Sequence, residues 1–102
     1  MNKIRLTPAV LNDLKEINLY ISDELANPAA AASTLQSIIS SYEKLKDFPL
    51  LGPSLTQKVK LPTDFRYLLS GNYLIFYKTE NEYVSIYRIL YAGSGYLKQL
   101  FQ

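Results

Sequence analysis

The 102-residue sequence predicts an α+β fold, with an N-terminal strand and an antiparallel helical hairpin packed on a small antiparallel β-sheet. Three observations carry this. Two cap-plus-proline signals, Thr7-Pro8 and Asn27-Pro28, each open a stretch in which apolar residues recur every three or four positions. From Phe65 onward the pattern changes to aromatic and β-branched runs broken by short polar turns. The resulting order of strand, helix, helix and three strands argues for α+β rather than a wound parallel sheet.

Lys3-Ile4-Arg5-Leu6 alternates polar and apolar residues, as a short strand does. Thr7 then caps a first helix, with Pro8 at the position where a missing N–H is harmless. Leu11, Leu14, Ile17 or Asn18, Ile21 and Leu25 define its apolar stripe, and Asp13, Lys15 and Glu16 fall off it. Asn27-Pro28 opens a second helix whose stripe runs through Ala31, Leu35, Ile38, Ile39, Tyr42 and Leu45. Asp47-Phe48-Pro49 ends it, because a residue before proline is pushed out of the helical region. So short a link makes the two helices antiparallel.

Leu50 to Pro62 reads as an irregular connection, broken by Gly52, Pro53, Ser54 and Pro62 and made basic by Lys58 and Lys60. Phe65 to Leu69, Tyr73 to Lys78 and Tyr83 to Tyr91 read as strands, joined by the turns Ser70-Gly71-Asn72 and Glu80-Asn81-Glu82. Tyr96 to Phe101 is a short tail. The N-terminal strand is expected at an open sheet edge, though the pattern does not choose which. Both faces of the middle strands carry aromatic and branched residues. One face is owed to the helices; the other either binds something or receives the tail and the long connection.

The length suits one hydrophobic core and the chain is read as a single domain over residues 1–102, with 48% apolar residues. There is no Cys and no His, which excludes disulfides, thiolate chemistry, sulfur-based metal sites and imidazole catalysis. No metal or other cofactor is expected. The N-terminus has no apolar run of signal-peptide length, and the uncharged stretch from Leu25 to Tyr42 is too polar to span a bilayer. A cytoplasmic location is the expectation. Net charge is only +2, but residues 52–102 hold six basic and three acidic groups, so a phosphate-facing surface belongs in that half.

The remaining proton-transfer groups are Asp, Glu, Lys and Tyr, and Arg5, Arg66 and Arg88 are the only arginines. Arg66 and Arg88 stand amid apolar strand neighbours, where a guanidinium must be paired, reach water or hold an anionic ligand. Seven of the nine tyrosines lie in the C-terminal half, suited to core packing, to stacking on a base or to an interface.

Several stretches, read together, resemble the toxin subunits of bacterial toxin–antitoxin modules, the RelE/ParE superfamily. They are LTPAVLNDLKEINLYI, NPAAAASTLQSII, LKDFPLLGPSL and, above all, FRYLLSGNYLIFYKTENEYVSIYRILYAG followed by YLKQLF. The resemblance spans essentially the whole chain and implies the same helical hairpin on a curved antiparallel sheet. It also implies one of two activities. RelE-like members are ribosome-dependent endoribonucleases, in which the 2′-hydroxyl attacks the adjacent phosphate and basic groups relieve the developing charge. ParE-like members instead interfere with DNA gyrase and block replication. Both kinds are neutralised by an antitoxin that folds around the toxin, as a dimer or heterotetramer, and such modules stabilise plasmids.

In the nuclease branch Arg66 matches the arginine near the scissile phosphate, Arg88 adds a second phosphate contact, and Tyr96 matches a late aromatic used for stacking or proton relay. Lys58, Lys60, Lys98 and the Tyr91 position are the implied phosphate or target contacts. The chain departs from that pattern: Tyr91 stands where many members have His, and Ser94 and Gly95 stand at basic positions. Each lost donor to a dianionic phosphorane costs about 3–4 kcal/mol. The thinned basic set therefore favours a ParE-like toxin that inhibits growth by binding gyrase. A ribosome-dependent nuclease is the alternative, and a non-toxic member that only binds its partner is a third reading.

Overall fold

The structure is a computed structural model that describes residues 2–93 and 95–101. Chain order is β1 (Lys3–Leu6), α1 (Pro8–Leu19), α2 (Pro28–Glu43), α3 (Leu55–Val59), β2 (Arg66–Ser70), β3 (Tyr73–Glu80), β4 (Tyr83–Tyr91) and α4 (Tyr96–Leu100). Both expected caps are present. The Thr7 hydroxyl accepts from the Val10 N–H at 3.2 Å and the Asn27 side chain accepts from the Ala30 N–H at 3.0 Å. α1 runs on into a wider π-type turn, Tyr20–Glu24, and Ala26 at φ 51° turns the chain into α2.

The phase of α1 differs from the sequence expectation. Its inward face is Val10, Asp13, Ile17 and Ile21, whereas Leu11 and Leu25 are each 55% exposed. The leucines suggest the other phase, because an aspartate on a buried face has no local signal. Asp13 turns inward because its partners come from another element.

The sheet order is β1-β4-β3-β2. β2, β3 and β4 form the expected antiparallel meander, but β1 adds parallel to β4 through Lys3–Leu6 and Tyr83–Ile86, so the whole sheet is mixed. A parallel neighbour cannot follow through a tight turn, and here the helical hairpin, α3, β2 and β3 all lie between β1 and β4. β4 carries a bulge at Tyr87, where Ile86 pairs with Tyr77 and Arg88 with Phe76.

The hairpin covers one sheet face, burying Val10, Ile17, Ile38, Ile75, Tyr77 and Ile86. The opposite face forms a second core of Leu55, Phe65, Leu74, Phe76 and Leu90. α3 lies inside the connection read as irregular. Ser54 caps it, and its Leu55 is fully buried. Together with α4 it covers most of the face that the sequence left open. Among the described residues, no helix is long and apolar enough to cross a membrane.

Candidate functional site

β1 pairs with β4 only as far as Ile86, so the outer edge of β4 beyond it has no strand partner. The start of α1 fills the gap. Thr7 donates its backbone N–H to the Ile86 carbonyl at 3.2 Å and its hydroxyl to the Tyr87 carbonyl at 3.1 Å. One turn later the Asp13 carboxylate accepts from the Ile89 N–H at 2.9 Å and from Arg88 Nε and Nη2 at 2.8 and 2.9 Å. The hydrogen bond to Asp13 raises the Arg88 pKa above even its usual high value, against the opposing effect of burial. Arg88 Nη1 also reaches the Gln99 carbonyl of α4 at 3.4 Å. Arg88 thus ties α1, β4 and α4 together.

Arg66 opens β2 opposite Tyr77, on the face covered by the helices. Its Nη1 donates to the Gly52 carbonyl at 2.7 Å, while the Gly52 N–H donates to the buried Tyr77 hydroxyl at 2.9 Å. Burial raises the Tyr77 pKa, partly offset by that Gly52 bond and by Arg66. A Cβ at residue 52 would stand 2.2 Å from the Tyr67 carbonyl oxygen, so only glycine fits. Arg66 thus shares the hairpin-side face with Tyr73 and Tyr77, whereas Tyr67, Tyr87 and Tyr96 pack on the opposite one.

Tyr96, at the start of α4, stacks on Phe76 with ring centroids 5.8 Å apart. Lys58 of α3 sits over the Tyr67 ring at 5.1 Å and the Tyr96 ring at 5.7 Å, so these two expected site residues do meet. Lys60 is exposed in the left-handed conformation that ends α3, and Lys98 is exposed on α4. Tyr91 is 54% exposed and meets Tyr73 edge-on at 6.0 Å. Ser94, at one of the departing positions, lies outside the described residues. Arg66, Arg88 and Tyr96 therefore occupy one sheet face, the open edge and the opposite face.

Three features escaped the sequence reading. Lys78 sits over the Phe65 and Tyr87 rings at 4.5 and 5.3 Å. Arg5 lies 4.6 Å over the Tyr83 ring and donates from Nε to the Ser85 hydroxyl at 3.0 Å. Glu80 accepts from the Tyr87 hydroxyl at 3.0 Å and faces Arg5 at 3.6 Å. Period-two alternation along β3 carried the signal for Lys78, which shares a face with Phe76. On the helix side, a groove of about 920 Å³ runs between α1 and the free end of β4, lined by Ile17, Tyr20, Ile21, Tyr73, Ile89 and Tyr91.

The family described as the ParE toxin of type II toxin–antitoxin systems, parDE, matches residues 4–96. The chain belongs to the ParE toxin family. A solved structure titled as a chromosomal ParDE TA system from P. aeruginosa shares its fold, with a TM-score of 0.75 at 19% identity over 89% of this chain and 96% of that one. No curated relative matches the chain. The motif that carried the resemblance does framework work in this ParE-family chain. Arg66 holds Gly52, Gly71 at φ 59° forms the β2–β3 turn, and Arg88 locks α1 to β4. Among the described residues no three acidic side chains gather to hold a metal ion.

Proposed function

We propose that this ParE-family toxin stops growth by binding and poisoning DNA gyrase, without bond-breaking chemistry of its own, and that a cognate antitoxin neutralises it. The observation that carries the reading is the dispersal of Arg66, Arg88 and Tyr96. Phosphoryl transfer needs donors converging on one phosphate, within roughly 3 Å of the charge that develops. Here Arg88 is engaged by Asp13, Arg66 by the Gly52 carbonyl, and the Tyr96 ring by Phe76. In this reading the three are framework residues, and the exposed Lys60, Lys98 and Tyr91 are target contacts.

The antitoxin is proposed to dock in the groove beside the free end of β4, where Tyr20, Leu25 and Tyr91 are each more than half exposed. An apolar wall of this kind suits an added peptide segment. A supercoiling assay with the purified chain tests the proposal. The expected result is gyrase inhibition at micromolar protein, relieved by the antitoxin. Folded protein that leaves supercoiling untouched while expression produces new cuts in translated messages would overturn it.

A further inference from the structure

Three tyrosines from three elements line the groove between α1 and the free end of β4. Tyr20 opens the wide turn that follows α1, Tyr73 begins β3 and Tyr91 ends β4. The rings of Tyr73 and Tyr91 stand at 68° to one another with centroids 6.0 Å apart, so they form two walls of a corner. The Tyr73 pKa is raised, first by burial and then by the neighbouring phenols of Tyr20 and Tyr91, which places Tyr20 close by. Tyr20 and Tyr91 are each 54% exposed and Tyr73 is half-buried, so ring surface stays open to an incoming group. Charge in the groove is lopsided. Among the described residues its only ionised side chains are Asp13, Glu16 and Arg88. Asp13 and Arg88 neutralise one another. That leaves Glu16, four residues before Tyr20 and so on the same side of the helix, with no ion-pair partner among the described residues.

We propose that the antitoxin seats one arginine side chain in this corner, its guanidinium against the rings of Tyr20, Tyr73 and Tyr91 and its N–H groups on the Glu16 carboxylate. This rests on the antitoxin docking proposed above and adds the chemistry of one contact. The face of an aromatic ring is negative, so a cation is attracted where an anion would be repelled by the rings and by Glu16 alike. An apolar side chain would use the rings but would cover Glu16 without answering its charge. Arginine suits the corner better than lysine does. A planar guanidinium lies flat on a ring and still directs N–H groups in its own plane to a carboxylate, whereas an ammonium is a point charge. Ile17, Ile21 and Ile89 line the same groove, so the partner residues that flank the arginine are apolar.

NMR of the full chain with labelled tyrosine rings, titrated with N-acetylarginine amide, reads the corner without the antitoxin. The Tyr20, Tyr73 and Tyr91 signals are expected to shift together and to saturate. The neutral isostere N-acetylcitrulline amide should bind at least about tenfold more weakly, since it keeps the shape and loses the charge. Glu16→Gln and Tyr20→Leu should each weaken the arginine probe by about three- to tenfold, the first with a smaller dependence on salt as well. Both positions are exposed, and melting curves confirm that the variants are folded. The cognate antitoxin should displace the bound amide and lose affinity for the same two variants. Leu25→Ser, which trims the exposed apolar wall of the groove and leaves the corner intact, reads groove docking by itself. Antitoxin binding weakened by Leu25→Ser but untouched by Glu16→Gln and Tyr20→Leu would overturn the arginine contact and leave groove docking standing. Antitoxin binding indifferent to all three variants would overturn both. Absence of saturable shifts at millimolar amide, equal binding of the citrulline probe, or a bound amide that the antitoxin fails to displace would each overturn the proposal.

Discussion

At Asp13, two carboxylate oxygens meet three donors: Nε and Nη2 of Arg88 and the Ile89 N–H. The side chain stands in for the strand that β4 lacks beyond Ile86, and it neutralises a half-buried guanidinium at the same time. Asp13→Ala strands all three donors and is expected to lower stability by about 3 kcal/mol, the low end for breaking a buried pair because Arg88 keeps some contact with water. Urea unfolding measures it. Asp13→Asn, which still offers an acceptor to Ile89, should lose less. Glu80 acts through pH instead. Hydrogen bonds from Ser85 and Tyr87, helped by Arg5 and Lys78 and opposed by burial, hold its carboxyl below the ordinary value. The folded state therefore binds this proton more weakly than the unfolded chain does. The stabilisation is complete above the usual carboxylate range and is lost as pH falls through the lowered folded value. Melting temperatures followed down from neutral pH should fall less steeply for Glu80→Gln than for wild type.

Among the elements, α1 and α3 show where a local pattern succeeds and where it misleads. The caps at Thr7 and Asn27 need only residues three positions away, and both were readable. The face that α1 buries was not, because choosing between Leu11 and Val10 depends on what lies beneath the helix. The two phasings make opposite predictions. Val10→Ala removes two methyl groups from a site with no exposure and should cost about 1–3 kcal/mol, whereas Leu11→Ala should stay within about 0.5 kcal/mol. α3 is five residues long, too short for periodicity to reveal, and its burial comes from Leu55 on the second core. Leu55→Ala should cost about 2–5 kcal/mol although the residue sits in a segment that reads as a loop. Chemical denaturation of the three variants side by side distinguishes these expectations.

Across the whole molecule the sheet is covered on both faces, by the hairpin on one and by α3 and α4 on the other. Ending the chain before Tyr96 would uncover Phe76, remove the Phe101 edge contact with Phe65 and release Arg88 from Gln99. The expected result is a lower melting temperature and new binding of a hydrophobic dye; an unchanged profile would show that α4 contributes nothing to the second core. From sequence alone came the α+β class, the two capped helices, the three-strand meander, the family resemblance and the cationic bias of the second half. All of these rest on neighbours a few residues apart, or on motif order along the chain. Only the tertiary structure decided that β1 runs parallel to β4, that Arg88 closes on Asp13 across 75 residues, that Arg66 meets Gly52 on the hairpin-side face beside Tyr77, and that Lys78 rests on two rings. The reason is physical: spacing along a chain specifies which residues share a face, but which partner that face meets depends on how separately formed elements are stacked.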